Sequence, residues 1–221
     1  MTPPRRLVVV LVKFPEPGRV KSRLAASIGA QAAVAVYRRL VGHTLDALSE
    51  TDCTVWIYGD PADQLGGIEA WLLGLSESQQ LPRGTEYIAQ APGDLGQKLD
   101  HVFRRAFSRE FRQVIAIGTD CAGIGSGHIS AAGLALDRVD AVFGPALDGG
   151  YYLIGLRQVA PTLFQNIPWS SPETLSASLR AAADAGLAVH LLESLRDIDT
   201  EADLQAEPWL MKDAQDQPAE P

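Results

Sequence analysis

Residues Leu7 to Phe14 (LVVVLVKF) are β-branched and almost wholly apolar, interrupted only by Lys13. A strand with one solvated face alternates apolar and polar residues. A run without alternation suits a strand covered on both faces, as in a parallel sheet with helices on either side. Such a sheet is built from strand–helix–strand crossovers, so the rest of the chain has to supply alternating strands and helices.

It does. The spacing predicts a helix over about Ala30 to Leu48, with Val34, Tyr37, Val41, Leu45 and Leu48 recurring at three- and four-residue steps. A strand at Thr54 to Tyr58 follows, ended by Gly59-Asp60-Pro61, then a helix over about Ala62 to Leu73 and a short strand at Thr85 to Ala89. Gly96 to Phe107 reads as a helix with Leu99, Val102, Phe103 and Ala106 on one side. Val114 to Ile117 is a strand, Ser126 to Leu136 a helix, and Ala141 to Phe143 and Tyr151 to Leu156 are strands. Ser171-Pro172 offers an N-cap and a proline at the first helical position, for a helix running to Ala185 that Gly186 stops. Ala188 to Leu192 is the last strand. The expectation is an α/β layered sheet with helices on both faces. It forms one domain over residues 1–207, followed by a polar, Pro-containing tail, 208–221.

Composition narrows the function. A formal net charge of −8 over 221 residues sets the surface as a whole against nucleic acid and anionic membrane. The two cysteines, Cys53 and Cys121, fit no zinc spacing and make no disulfide framework, which suits reduced, buried thiols. The apolar run after the basic Arg5-Arg6 is too short for a secretory signal, and nothing approaches the roughly 18 apolar residues of a membrane span. A cytoplasmic location is expected.

In open α/β sheets ligands bind beyond the carboxyl ends of the strands. Four clusters should meet there. The first is Lys13 to Arg23, where Lys13, Arg19, Lys21 and Arg23 place four cations in eleven residues. That is about four times the density of the whole chain, which has 19 in 221. Pro15, Pro17 and Gly18 restrict the backbone and clear space, so the loop can present N–H groups and cations to an anion. It matches neither the G-x-x-x-x-G-K-[ST] nor the G-x-G-x-x-G pattern.

The second is Gly118-Thr119-Asp120, where Asp120 either ligates a hard divalent ion bridging phosphates or serves as a turn residue. The third is Asp148-Gly149-Gly150, either a plain hairpin turn or a place where a ligand approaches the backbone and Asp148 meets a hydroxyl. In the fourth, Asp197-Ile198-Asp199, two carboxylates on one side of an extended segment need a shared cation or separate partners. Thr200 and Asp203 form a capping pattern, to which Asp199 could itself belong. Asp94-Leu95-Gly96-Gln97 opens a helix; Gln97 reads either as a base- or sugar-contacting group or as polar surface. Gly123 to Gly127 reads as a flexible lead into the next helix, and the histidines His43, His101, His128 and His190 take no role.

Taken in order, Lys13-Phe14-Pro15-Glu16-Pro17-Gly18-Arg19-Val20-Lys21-Ser22-Arg23-Leu24, Gly93-Asp94-Leu95-Gly96-Gln97, Gly118-Thr119-Asp120-Cys121, Asp148-Gly149-Gly150-Tyr151-Tyr152-Leu153-Ile154-Gly155-Leu156 and Asp197-Ile198-Asp199-Thr200 resemble a bacterial family of GT-A-type glycosyltransferase-like proteins, labelled DUF2064. The wider superfamily includes nucleotidyltransferases. The resemblance implies a GT-A, Rossmann-like three-layer sandwich with a mixed, mostly parallel sheet. It implies a nucleotide or nucleotide-sugar donor, a small-molecule acceptor, and Mg²⁺ or Mn²⁺. By it, Lys13, Gly18, Arg19, Lys21 and Arg23 look like the donor-phosphate loop, and Asp120 like the first metal ligand. Asp199 resembles the second ligand, with Asp197 close by; Gln97, Gly149 and Gly150 look like recognition positions, and Asp148 with Asp120 like catalytic ones. The implied activity is glycosyl transfer from a nucleotide sugar. The alternatives are nucleotidyl transfer from an NTP with release of pyrophosphate, and nucleotide binding without turnover. Relatives usually have proline after Thr-Asp-Cys; Ala122 stands here, which should loosen the segment beside Asp120.

Overall fold

A computed structural model describes residues 5–75, 81, 82 and 84–211. Its seven strands are β1 (Arg6–Lys13), β2 (Thr54–Asp60), β3 (Glu86–Ala89), β4 (Gln113–Ile117), β5 (Ala141–Pro145), β6 (Tyr151–Leu156) and β7 (Val189–Leu191). The helices are α1 (Ser22–Ile28), α2 (Ala30–Ser49), α3 (Leu65–Leu75), α4 (Leu95–Ser108), α5 (Ser126–Leu136), α6 (Thr174–Asp184) and α7 (Glu201–Gln205). The strands form one sheet in the order β3-β2-β1-β4-β6-β5-β7. All neighbours are parallel except β6, which runs antiparallel to both β4 and β5. This is the mixed, mostly parallel sheet expected.

The apolar run at the start of the chain becomes an interior strand, paired with β2 on one side and β4 on the other. Its side chains divide between the two faces. Val8, Val10 and Val12 pack with α2, α3 and α5; Leu7 and Val9 pack with α4, α6 and Trp56. All five are fully buried, and each such side chain contributes about 1.5–3 kcal/mol by leaving water. Strand order reverses between β1 and β4, which opens a crevice at their carboxyl ends.

Two boundaries differ from expectation. The basic loop ends in a helix, α1, where the sequence predicts loop; its seven residues bury only Leu24, too little to show a periodicity. The helix after Ser171-Pro172 starts at Thr174, because Ser171 and Pro172 belong to a turn in which the Ser171 hydroxyl accepts from Glu173 N (3.1 Å). Residues from Pro208 begin with a 3-10 turn, Pro208–Met211, that buries Leu210 and sets the Trp209 ring at a tilt beside His43. The remainder of the expected tail lies outside the described residues.

A third apolar cluster joins Leu24 of α1, Ala33, Val36 and Leu40 of α2, Ala122, Ile198, Leu204 and Leu210. It ties the loop after β1 to the chain's late segment. Among the described residues no helix is long and apolar enough to cross a membrane.

Candidate functional site

The site begins at the end of β1. The Tyr37 hydroxyl on α2 accepts from Lys13 N (2.8 Å) and donates to Lys13 O (3.1 Å), fixing the strand's exit. Burial pushes the Tyr37 phenol well up, so it stays a neutral donor. The chain then turns: Glu16 N donates to Phe14 O (2.8 Å) and Arg19 N to Glu16 O (3.1 Å). Gly18 takes φ +82°, a conformation that costs other residues a Cβ clash. Val20 sinks into the first core cluster and Leu24 into the third. Between these anchors Lys21 is held left-handed, φ 48°, ψ 44°, at a cost of about 1–2 kcal/mol for a non-glycine residue.

What offsets that cost is the environment of the Lys21 ammonium. It forms ion pairs with Asp120 Oδ1 and with Asp199 Oδ1 (3.3 Å), while only 3% of the lysine side chain is exposed. Burial works to lower the Lys21 pKa, but Asp120 and Asp199 outweigh it and hold the group above its ordinary value. Lys21 therefore stays charged beneath two carboxylates whose side chains are 53% and 39% exposed. Arg23 Nη1 lies 3.6 Å from the other oxygen of Asp199. Among the described residues Arg19 pairs with Glu16 (3.2 Å) on the surface, an interaction worth under about 1 kcal/mol and so readily exchanged for a ligand.

Asp120 is positioned by β4 and by the late segment. Ile198 N donates to Asp120 O (2.9 Å), and Cys121 bridges Asp197 through both backbone and side chain. Ala122 packs into the third cluster. The segment after Thr119 is thus pinned rather than loosened by the alanine. Asp197 and Asp199 have separate hydrogen-bond partners, Cys121 and Lys21. The Asp197 carboxylate accepts from the buried Cys121 thiol; burial foremost, then the charges of Asp120 and Asp148, push it up to about 6 against that bond and Lys21. Burial and Asp197 push the Cys121 thiol far up, so it is an inert donor. Both cysteines are free and buried. Thr200 caps α7, sharing hydrogen bonds with Asp203.

A cleft of about 620 Å³ opens at this edge, lined by Lys13, Arg19, Lys21, Arg23, Asp120 and Asp199 among others. Six other expected positions do not line it. Gln97 is spent locally: its backbone N–H donates to Asp94 Oδ1 (2.9 Å) and its side-chain oxygen accepts from Asp94 N (3.0 Å). Asp148 Oδ1 accepts from Gly150 N (2.8 Å) in the β5–β6 turn, closed by Ala146 N to Gly150 O (3.0 Å). Gly149 has φ +92°, and a Cβ there would come within 2.6 Å of Pro172 Cα and closer still to its carbonyl oxygen. At Gly149 the protein's own backbone makes a close approach. Gly18 is exposed in the turn before Arg19, and Asp197 is half-buried against Cys121.

The cleft also contains residues outside the clusters expected from sequence. Gln90 Nε2 donates to Tyr58 O (3.0 Å) and Val12 O (3.3 Å), stitching β1 to β2 at the rim. Lys98 of α4, Tyr37, and Ser170, left-handed at φ 58°, line it too. The one signal for Gln90 was its place directly after a strand. Tyr37 was legible only as a helix core position.

Among the described residues no three His, Cys, Asp or Glu side chains converge as metal ligands. Asp120 and Asp199 offer two hard carboxylates, enough for an ion that takes its remaining ligands from phosphate and water. In this structure both are engaged by Lys21, so they fit a divalent ion only once that ammonium is elsewhere.

A family model described as an uncharacterized protein conserved in bacteria (DUF2064) matches residues 44–171. No protein of curated function matches the chain by sequence. Among solved structures, a Desulfovibrio desulfuricans G20 protein provisionally named a nucleotide-diphospho-sugar transferase is 29% identical, with 97% of this chain and 90% of that one covered at a TM-score of 0.83. The inositol-1-phosphate CTP transferase of T. maritima shares the fold at 15% identity, 98% coverage of both chains and a TM-score of 0.60. So does a CMP:2-keto-3-deoxy-manno-octonic acid synthetase complexed with CTP, at 13% identity, 94% and 98% coverage and 0.55.

Proposed function

Because the chain belongs to the bacterial DUF2064 family, and its loop cations face carboxylates across a cleft at the β1/β4 crevice, we propose that it is a transferase acting on a nucleotide-sugar donor. One observation carries the reading. Lys21, Asp120 and Asp199, from three distant parts of the chain, meet at the edge where the strand order reverses, the position where open α/β sheets bind nucleotides. An acidic protein that gathers cations there has built a local anion site.

Lys13, Arg19, Lys21 and Arg23 would take the donor diphosphate, Lys as point charges and Arg as forks. Asp120 and Asp199 would hold Mg²⁺ or Mn²⁺; bound there, the ion would supply charge neutralisation to the departing phosphate. The loop cations do the same from the protein side as negative charge develops on the leaving oxygen. Tyr37 and Gln90 keep the ends of β1 and β2 rigid beneath the ligand, which preserves the alignment that transfer requires. Gly18 gives the loop its turn. Asp148, Gly149, Gly150 and Gln97 belong to the supporting frame in this reading, and Asp197 anchors Asp120 through Cys121.

The second reading, nucleotidyl transfer from an NTP, is favoured by the two CTP-associated proteins that share the fold. A melting screen of NTPs and NDP-sugars with and without Mn²⁺ tests the donor site, since a ligand that binds only the folded state raises its stability. Product analysis then separates the readings: NDP release supports glycosyl transfer, and pyrophosphate release supports nucleotidyl transfer. Stabilisation without either product would reduce the protein to a nucleotide-binding module.

A further inference from the structure

We propose that Lys21 is a latch on the cation position. While no anion is bound, its ammonium holds Asp120 and Asp199 and keeps divalent ions out; an incoming diphosphate draws the ammonium away, so anion and cation are taken up together. This rests on the donor-site reading above.

The geometry has three parts. First, the lysine side chain is 3% exposed while its two carboxylates are 53% and 39% exposed. The cation lies underneath and the anions face the cleft. A solvated surface pair would expose all three. Second, Asp120 Oδ1 and Asp199 Oδ1 both engage the same Nζ. These oxygens are the ones a divalent ion would need, and a second positive charge on them is opposed by the first. Third, Lys21 also lines the cleft, and its flexible four-carbon stem lets the ammonium swing while the backbone stays fixed. Val20 and Leu24, buried on either side, hold that backbone. Arg23, 72% exposed and 3.6 Å from Asp199 Oδ2, stays beside the carboxylate when Lys21 leaves.

Linkage makes the consequence reciprocal: if phosphate removes Lys21 from the carboxylates, it raises affinity for the metal, and the metal raises affinity for phosphate by the same factor. An open two-carboxylate site has no such coupling beyond direct metal–phosphate contact and binds the ion by itself.

The test is Mn²⁺ titration of the protein alone, followed by the electron paramagnetic resonance signal of free Mn²⁺. Wild type is expected to bind Mn²⁺ about tenfold or more weakly than Lys21→Met. Asp120→Asn placed in the Lys21→Met background should abolish the gain. Lys21→Arg, which keeps the charge, should exclude Mn²⁺ as wild type does. Equal Mn²⁺ affinity of wild type and Lys21→Met overturns the latch, as does tight binding by Lys21→Arg. If Lys21→Met does not fold, melting of the wild type decides. Mn²⁺ with pyrophosphate should stabilise it by more than the sum of the two added singly, and Mn²⁺ alone stabilising as much as the mixture overturns the latch. Pyrophosphate without effect on the wild type, with or without Mn²⁺, defeats the donor-site reading instead; that outcome is distinct from a wild type that takes Mn²⁺ unaided.

Discussion

Two aspartates stand in turns on the same edge of the sheet, Asp120 after β4 and Asp148 after β5. From sequence they look equivalent: each follows a strand beyond its carboxyl end. Their surroundings differ. Asp148 turns back on its own loop and accepts from Gly150 N two residues on. Asp120 instead meets Lys21 from the loop after β1, and its backbone is held by Ile198 from the end of the chain. A carboxylate after a strand becomes a candidate for chemistry when other elements converge on it. Local hydrogen bonding satisfies the one that stays a turn.

That contrast can be broken in several ways. The largest effect is expected at the structural turn. Gly149→Ala forces a Cβ against Pro172 at a positive φ and should cost about 3 kcal/mol, read as a lower melting temperature. The nucleotide affinity of the folded fraction should stay within about twofold. Loss of affinity without loss of stability would show that the glycine serves a ligand after all.

Next, Lys21→Met should weaken metal-free nucleotide or pyrophosphate binding by about 2 kcal/mol, roughly 30-fold, the worth of a charge-assisted contact. Calorimetry in chelator measures it, and unchanged affinity would remove Lys21 from the site. Asp120→Asn should abolish the Mn²⁺-dependent part of nucleotide binding, about tenfold or 1.4 kcal/mol, and leave the metal-free part in place; a loss equal with and without Mn²⁺ would contradict a metal role.

Asp197 gives a smaller, pH-dependent effect. Its carboxyl is raised from 3.8 to about 6 on folding, so between those values the folded chain keeps a proton that the unfolded chain has released. Stability from this group is present below the lower value and declines as pH rises through about 6. Asp197→Asn should flatten that decline, measured by denaturant unfolding from about pH 4.5 to about pH 7.5. Smallest of all, Asp148→Ala removes one exposed turn hydrogen bond and should cost about 0.5 kcal/mol, with nucleotide affinity unmoved. A tenfold affinity loss there would erase the distinction between the two turns.

Much of the frame was legible because burial leaves a periodic trace. The unbroken run at Leu7 to Val12 marks a doubly covered strand, and Leu99, Val102, Phe103 and Ala106 mark the inner face of α4. Helix α1 left no such trace, since one buried leucine in seven residues has no period. The strand order, and the antiparallel insertion of β6 between β4 and β5, depend on pairings between distant segments. The site was legible by position more than by partner. The cations and Asp120 and Asp199 stand out as charges beside buried strands, but the burial of Lys21 follows from Val20 and Leu24 entering two different clusters. Gln97 and Asp148 were ambiguous because residues that cap and turn are also residues that bind.

The third apolar cluster sets an order in time. Lys21 and Asp199 are 178 positions apart, and Leu24, Ile198, Leu204 and Leu210 pack together behind them. During synthesis from the amino end, Lys21 and Asp120 emerge long before Asp199 and the leucines that seat it. A nascent chain halted anywhere before Ile198 could already bury most of its sheet, yet it would lack both the second carboxylate and the plug that holds α1 in place. Assembly of the anion site therefore waits until the chain has been made past Leu210.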